Sequence, residues 1–451
     1  MSTSLTRDLA AAASGLEFDG IPGSGIDMAK RGFIDAVGVM LAGKDEPCVS
    51  ILAETLSPAP GDASLLWGAG RAGAPEAAWI NAVATHTLDF DDTALSAHPS
   101  AVLVPAIVAE AEHLGASGRD MLCAYVAGFE TWAELMQREA GQYHTKGWHP
   151  TGIFGPIAAA AACARLRRLD PDRTAAALSL GASQSAGITA NFGSMAKPFH
   201  AGRAAHAGVI SARLAAAGMS AAMDALEHPQ GFLAAVSPAG AVNLDEPVQI
   251  GRRWRIVEIG LNIKKYPTCY CTHRPIDAML ELRGAHPSIA ADQVARIVVS
   301  MSRRNARVLR NARPMTGLEA KFSIQFAMAC ALVAGRVGLG ELDDAFVQRQ
   351  DVQGLFERVE LQFDPREDPA TGYAPHDQVA VALRDGRTLQ SAPVVLARGA
   401  AGAPLSDDEI RAKFMSCATR AISETAAASI HERLSQLERL PALHACQAPA
   451  S

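Results

Sequence analysis

The sequence predicts a mainly α-helical protein in which a smaller α+β lid domain is inserted into a large all-helical domain. Apolar residues make up 49% of the 451 residues but aromatic residues only 5%, which indicates a core of closely packed helices. Apolar residues recur at helical spacing in the first half of the chain, and β-branched alternation begins near Tyr266. Helical periodicity returns at Ser406. We therefore expect residues 1–265 and 400–451 to form the helical domain and residues 266–399 to form the lid.

The helices of the first domain are expected to follow one another between about Gly23 and Gly218. The stretch IDMAKRGFIDAVGVMLAG is typical of them, because its apolar side chains recur every three or four positions. The apolar stripe consists of Phe33, Ile34, Val37, Met40 and Leu41. Such a stripe predicts a helix with one face against the core.

The lid is expected to combine strands and helices. Alternating β-branched residues indicate its strands, and the Asp385-Gly386 pair is typical of a hairpin turn. The expected strands are 294–303, 355–364 and 377–397, and the expected helices are 275–283 and about 319–334. After the lid, one long amphipathic helix is expected from Asp407 to about Leu440, packed back onto the first domain.

Four predicted helix starts carry a basic residue where an acid or hydroxyl is usual. They are His98 before Pro99, His149 before Pro150, Lys197 before Pro198, and His273 with Arg274 before Pro275. Ordinary caps also occur, such as Asp170 before Pro171 and the capping box of Ser406 and Glu409. A cation at a helix N-terminus is destabilising by about 0.3–1 kcal/mol, unless an anion lies between them. We interpret several of these starts as facing one pocket that binds a polycarboxylate, and we expect removal of Lys197 to leave the melting temperature unchanged or slightly higher.

A dense mixture of acids and histidines precedes one of these helices. The stretch HTLDFDDTALSAHPSA contains His86, Asp89, Asp91, Asp92, Thr93 and His98. Any one of them could simply cap or turn a loop, but so many together favour a functional site. Further along, Lys197, His200, Arg203 and His206 recur every three residues, and the alternative for these is a solvated basic face. The chain has neither HExxH nor EF-hand spacing, so no metal is expected.

Bulk properties argue against several classes of protein. The net charge of −6 comes without a basic stripe, so no nucleic-acid partner is expected. The eight cysteines show no pairing framework, which favours a reducing compartment. Asp8 interrupts the apolar patch at the N-terminus, and the longest apolar run, 152–164, is too short for a membrane span. A soluble cytoplasmic protein without a membrane partner is predicted.

Four motifs together resemble the MmgE/PrpD family, from about residue 10 to 440. They are LDFDDT with HPSA, GWHPTG, NFGSMAKPFHAG, and KKYPTCY with HRPID. The family includes 2-methylcitrate dehydratases, cis-aconitate decarboxylases and an iminodisuccinate epimerase. The resemblance implies a homodimer, chemistry without metal or cofactor, and an active site between the domains. It implies the pocket residues Asp89, Thr93, His98, His149, Lys197, Lys264 and His273.

Two more candidates come from the lid segment IKKYPTCYCTHRPIDA. Arg274 and Cys269 are taken there as substrate-binding residues with Thr93, Lys264 and His273. The alternatives are a charged hinge for Arg274 and a small buried side chain for Cys269. Cys269 stands at a position where the decarboxylase branch has a histidine, and Phe326 stands at one where that branch has a tyrosine. Both differences argue against the decarboxylase branch.

These observations lead to the hypothesis of a lyase, dehydratase-like, that removes a proton next to a carboxylate of a small di- or tricarboxylate. His149 or Asp89 would act as the base, and the other of the two, or His98, as the acid. Lys197 and the helix N-termini would stabilise the carbanion. The alternatives are an epimerase of a dicarboxylate, a decarboxylase of the cis-aconitate type, and a carboxylate-binding protein without activity.

Overall fold

The computed structural model describes residues 4–68, 70–139, 143–368 and 372–442. The fold is mainly α-helical with a smaller α+β part, as the sequence predicts. Two compact units are present, one with the described residues of Met1–Ile263 and Ser406–Ser451, the other with those of Lys264–Leu405. Within these ranges, no helix is both long enough and apolar enough to cross a membrane. The seven described cysteines are free, and Cys446 lies outside the described residues.

Helices account for most of the regular structure. Among the described residues they are α1 Leu5–Ser14, α2 Gly23–Gly43, α3 Pro47–Leu56, α4 Ala74–His86, α5 Pro99–Leu114, α6 Gly118–Gln137, α7 Pro150–Leu166, α8 Pro171–Ala182, α9 Ala196–Ala216, α10 Phe232–Val236, α11 Arg255–Glu258, α12 His273–Ala285, α13 Arg303–Val308, α14 Gly317–Ala320, α15 Ile324–Ala334, α16 Asp344–Val347, α17 Gln350–Phe356, α18 Asp407–Ala418 and α19 Glu424–Ser435. The strands are β1 Ala63–Leu65, β2 Gly70–Ala72, β3 Val294–Met301, β4 Val359–Phe363, β5 Gln378–Leu383 and β6 Thr388–Gln390.

Helix α7 is the centre of the first unit. All of its residues are buried, and it packs against α5, α6, α8 and α9. Small residues permit this close approach. A Cβ atom added at Gly155 would lie 2.9 Å from the Ala204 side chain, and one at Gly208 would overlap Ala159. The alanine- and glycine-rich composition therefore allows a helix to pass through the interior, with its N-terminus inside the protein.

The second unit contains a four-stranded sheet of order β4-β3-β5-β6. Strand β3 is parallel to β4 and antiparallel to β5, and β5 and β6 form the hairpin predicted at Asp385-Gly386. Gly386 has a φ of +92°, which a glycine adopts without strain. Helix α12 packs against β5, and α15 packs against α12 and β4.

Several predicted element boundaries are wrong, and serine caps explain two of them. The predicted helices 319–334 and 407–440 are each divided in two, because Ser323 and Ser423 accept hydrogen bonds from backbone N–H groups and start new helices. The predicted strand 355–364 begins only at Val359, since α17 covers the residues up to Phe356. The β1–β2 hairpin in the first unit was not expected from the helical pattern.

A buried ion pair joins the C-terminal helix α18 to α2. Lys413 Nζ lies 2.5 Å from Asp35 Oδ1, with both side chains almost completely buried. The same ammonium group donates to the carbonyl of Phe90 at 2.7 Å and lies 4.1 Å from the centre of its ring. Burial raises the pKa of Asp35, although Lys413 opposes this shift. Lys413 therefore connects the C-terminal segment to the loop that follows α4.

We expect Lys413→Met to lower the free energy of unfolding by about 3–5 kcal/mol, because it leaves Asp35 buried without a counter-charge. Urea unfolding measures the loss, and the exposed Arg411 of the same helix provides the control. Arg411→Met should change stability by less than about 0.5 kcal/mol. Adding Asp35→Asn to Lys413→Met should recover part of the loss. Equal effects of Lys413→Met and Arg411→Met would contradict the assignment.

Candidate active site

The loop between α4 and α5 folds back on itself and carries the acid and histidine cluster. Asp89 has a φ of +51°, a left-handed conformation that short polar residues tolerate better than most. Its N–H donates to the carbonyl of His86 at 3.1 Å, and Ala94 and Ala97 exchange backbone hydrogen bonds. This turn places side chains from both ends of the loop close together.

Asp91 lies between two imidazole rings. The Nδ1 atom of His86 lies 3.0 Å from both oxygens of Asp91 and donates to this carboxylate. The Nδ1 atom of His98 lies 2.9 Å from Asp91 Oδ2. Burial alone would raise the pKa of Asp91, but the two histidines hold it well below its usual range. Complete burial lowers the pKa of His86 to about 3, so a neutral imidazole faces an ionised carboxylate.

Lys197 pairs with Asp89 at the start of α9. The ammonium group donates to Asp89 Oδ1, and the side chains are only 7% and 5% exposed. His98 Nε2 lies 3.9 Å from the same oxygen. The expectation that Lys197 could be removed without loss of stability assumed an unpaired cation. Because of this pair, we instead expect removal of Lys197 to lower the stability of the protein, since Asp89 would then be buried without its cation.

His149 caps α7 and contacts two other elements. Its backbone N–H donates to the carbonyl of Gly187 at 3.1 Å, and its Nδ1 atom lies 3.1 Å from Nδ1 of His200 on α9. The ring meets that of Phe192 edge-on, with centres 4.8 Å apart. Burial, and then the charge of Lys197, lower the pKa of His149 well below its usual value. The expected direction is present, but burial rather than the helix dipole is the main cause.

Three helix N-termini of the first unit meet at this cluster. His98 and His149 cap α5 and α7, as predicted. The His98 backbone N–H donates to Thr151 Oγ1 in the first turn of α7 at 3.2 Å, and the contact of His149 with His200 joins α7 to α9. The site therefore brings a lysine and several imidazoles to helix N-termini, an arrangement suited to carboxylates.

The other two basic starts differ from expectation. Helices α9 and α12 begin before their prolines, at Ala196 and His273. The preceding turns already have helical backbone angles, so Lys197, His273 and Arg274 lie inside the first turn rather than ahead of it.

Asp92 has a structural role in this arrangement. Its carboxylate accepts from the backbone N–H and the hydroxyl of Ser100, and that hydroxyl lies 2.6 Å from the Tyr125 hydroxyl. Burial, and then the nearby charge of Asp35, raise the pKa of Asp92 well above its usual range. A Cβ atom at Gly32 would lie 2.6 Å from Tyr125 Oη, so only glycine fits beside this network. Asp92 thus fixes the start of α5.

Thr93 lies at the edge of the cluster. Its backbone exchanges hydrogen bonds with Asn262 at 3.0 and 2.9 Å, and the Asn262 amide also donates to its carbonyl. These contacts fix the loop backbone. A contact between Thr93 and substrate stays a prediction.

Four of the candidates belong to the second unit. Lys264 is the first residue of this unit, and its side chain is buried. His273 lies between the rings of Tyr266 and Tyr270, with centres 5.2 and 4.9 Å away, and its Nε2 donates to the Thr268 carbonyl. This packing favours a structural role for His273. Substrate binding by Lys264 stays a prediction.

Arg274 and Cys269 also have partners within the second unit. The Arg274 guanidinium donates to Asp377 at 2.8 and 3.1 Å. The buried Cys269 donates its backbone N–H to Lys321 and accepts at its carbonyl from the Thr272 hydroxyl. The Asp377 pair favours the alternative of a structural arginine. Substrate binding by either residue stays a prediction.

Three residues of the site were not singled out from the sequence. His86 and Asp91 stood in the acid and histidine cluster without a separate role, and His200 stood in a possible basic face. The spacing of His200 from Lys197, one turn along α9, was the available signal. His206, in the same series, instead contacts Arg203 at 3.0 Å and Trp79.

The cluster also has donor atoms that could hold a metal ion. One ligand atom from each of His86, Asp89, Asp91 and His98 lies within 4.8 Å of the others. The donors are, however, engaged with one another: Lys197 occupies Asp89, and both Nδ1 atoms face Asp91. A divalent cation would have to enter next to the Lys197 ammonium group. Metal binding here would therefore displace contacts that the protein already makes.

Comparison with known families and proteins covers nearly the whole chain. Residues 7–245 match the MmgE/PrpD N-terminal domain, and residues 266–439 match the MmgE/PrpD C-terminal domain. The chain is 27% identical to cis-aconitate decarboxylase of Homo sapiens, over 98% of this chain and 93% of that protein. It is 27% identical to cis-aconitate decarboxylase-like protein oryM of Aspergillus oryzae, over 96% and 93% of the two chains. It is 24% identical to cis-aconitate decarboxylase of Aspergillus terreus, over 97% and 94%.

We expect Lys197→Met to raise the pKa values of His149 and His200. The Lys197 charge opposes protonation of both rings, and burial with the His86 and Lys197 charges lowers the pKa of His200 to about 4. NMR titration of labelled histidines measures the change. The exposed Lys146 provides the control, and Lys146→Met should leave both values unchanged. Equal shifts in the two variants would show that the Lys197 charge does not act on these rings.

Proposed function

The chain belongs to the MmgE/PrpD family, and from this premise we propose that it is a lyase without metal or cofactor. It removes a proton next to a carboxylate of a small di- or tricarboxylate, and the overall reaction eliminates water. One observation carries the proposal: the uncharged, buried imidazole of His149 lies in the same cluster as the Lys197–Asp89 pair, where three helix N-termini meet. Such a cluster supplies a base and a positive environment together.

Substrate carboxylates bind to the cationic part of the cluster. Lys197 supplies one charge, and the starts of α5 and α7 supply backbone dipoles. A substrate carboxylate that enters here competes with Asp89 for the ammonium group of Lys197. Binding therefore places negative charge where the carbanion develops, and the positive environment stabilises this carbanion more than the ground state.

His149 acts as the base. A proton next to a carboxylate is removed only by a group that is unprotonated at neutral pH, and burial keeps His149 in that form. Nε2 of His149 has no hydrogen-bond partner among the described residues, so its lone pair is available to a substrate. Asp89, whose Oδ1 is held by Lys197, is the weaker candidate for the base.

His98 acts as the acid that protonates the departing hydroxyl group. Its Nδ1 faces the ionised Asp91, which stabilises positive charge on the ring. His86 shares this carboxylate but is completely buried and stays neutral. One carboxylate thus supports the proton of His98, while burial without a carboxylate partner keeps His149 unprotonated. This difference separates the acid from the base.

A second candidate reaction is decarboxylation, favoured by the names of the relatives described above. The same carbanion would form by loss of CO₂, and an acid of the cluster would protonate it. Epimerisation requires the same proton abstraction, followed by reprotonation from the opposite face. A binding protein would need the cations but no base. These alternatives differ in products, which decide among them.

We expect the purified protein, incubated in D₂O with a panel of citrate-like and aspartate-derived acids, to exchange one C–H proton and eliminate water. His149→Asn should bind the same acid but slow the exchange by about 10²–10⁴-fold, the usual contribution of a general base. NMR follows exchange, elimination, CO₂ loss and inversion in one experiment. His206→Asn is the control, because His206 contacts Arg203 outside the cluster.

Exchange at the wild-type rate in His149→Asn would make Asp89 the base and His149 a carboxylate ligand. Loss of CO₂ or inversion as the main product would replace dehydration by the corresponding alternative. Binding without exchange for every acid in the panel would support a non-catalytic protein.

We expect activity to survive exhaustive treatment with a chelator, because Lys197 and the Asp91 hydrogen bonds already occupy the donor atoms of the cluster. Metal content by mass spectrometry and turnover on the same samples measure this. A stoichiometric metal whose removal and restoration control turnover would contradict the proposal.

A further inference from the structure

The contact between His149 and His200 joins two Nδ1 atoms, 3.1 Å apart. We propose that His200 is a positioning residue that holds His149 in its Nδ1–H tautomer, so that Nε2 keeps the lone pair that takes the substrate proton. The catalytic part of this inference rests on the proposed role of His149 as base. The tautomer itself is a property of the resting protein and is measured without substrate.

A single proton is shared in this contact. Burial, together with the charge of Lys197, keeps both rings neutral, and two neutral rings that meet through Nδ1 form a hydrogen bond only if one donates and the other accepts. If His200 donated, His149 would carry its proton on Nε2. If His149 donates, its Nε2 keeps a lone pair, which is the form that a base requires.

The surroundings favour donation by His149. His149 is 1% exposed and His200 is 8% exposed, so His200 is the ring with access to solvent. An Nε2–H group on His149 would have no partner among the described residues, in a ring that is almost completely buried, whereas the more exposed ring of His200 can donate its Nε2–H to water.

Gly187 lies next to both residues and allows the two rings to meet. Its carbonyl accepts the backbone N–H of His149 at 3.1 Å. A Cβ atom at this position would lie 3.1 Å from Cγ and 3.2 Å from Nδ1 of His200, and the φ of +126° also requires glycine. The same backbone segment thus fixes the cap of α7 and allows the His200 ring to approach it.

The arrangement gives the abstracted proton a balanced path. His149 Nε2 takes the proton from the substrate carbon, whose electron pair stays on the carbanion. The His149 ring is then an imidazolium, and its Nδ1–H still donates to Nδ1 of His200, which holds the ring in place. When Nε2 gives the proton up, to the carbanion or to solvent, His149 returns to its neutral Nδ1–H form without a tautomer change.

The first test measures the tautomer. In protein with ¹⁵N-labelled histidine, the ¹⁵N shifts and couplings of His149, assigned with His149→Asn, should show the proton on Nδ1. His200→Leu removes the acceptor and should shift the ring toward Nε2–H. His200→Asn places an amide oxygen near the former Nδ1 position and should retain the Nδ1–H form. His206→Leu, on the same helix, is the matched control and should leave His149 unchanged.

The second test measures turnover with the acid that the D₂O panel identifies. His200→Leu should lower kcat for proton exchange by about 10–100-fold with little change in KM, as expected for loss of a group that orients an imidazole. His200→Asn should recover kcat, because its amide oxygen accepts the same Nδ1–H hydrogen bond from His149.

The outcomes separate the two proposals. Wild-type His149 with its proton on Nε2, or an unchanged tautomer in His200→Leu, would overturn the positioning role whatever the activity. The expected tautomers with undiminished exchange in His149→Asn would contradict the base assignment and leave the positioning role standing. If His200→Leu does not fold, His200→Asn is compared with the wild type, and an Nε2–H form of His149 in His200→Asn would overturn the positioning role.

Discussion

The close packing of helix α7 is the constraint on which the candidate site depends. Because its neighbours approach through alanine and glycine, α7 passes through the interior of the first unit and begins there. A helix N-terminus inside a protein exposes unpaired N–H groups that need an anion or a polar partner. His149 lies at this position, where we propose that a carboxylate binds and where burial lowers the pKa of its ring.

Burial also determines how charge is distributed in the cluster. Ionised groups inside a protein require partners, and Lys197 and Asp89 supply one another. Two imidazole rings hold the pKa of Asp91 well below its usual range, whereas burial and the nearby Asp35 raise the pKa of Asp92. Neighbouring carboxyl groups thus have pKa values shifted in opposite directions, which is the condition for separate acid, base and structural roles.

The same logic explains why the C-terminal segment matters to the site. Lys413 neutralises Asp35 and binds the carbonyl of Phe90, which immediately precedes Asp91. The loop that carries the acids is therefore held from three sides, by α2, by α18 and by the start of α5. A loop with left-handed residues and several buried carboxyl groups needs such support to keep one conformation.

The sequence by itself determined the fold class, the helix starts at Pro99 and Pro150, the β5–β6 hairpin and the acid and histidine cluster, because each depends on residues close together in the chain. The breaks that Ser323 and Ser423 introduce were missed, since a cap inside an apolar run leaves the periodicity unchanged. Only the tertiary structure decided the partners: Lys197 with Asp89, His98 with Asp91, and His149 with His200. Lys197 and Asp89 are 108 positions apart, and no local pattern encodes a contact made by the packing of separate helices.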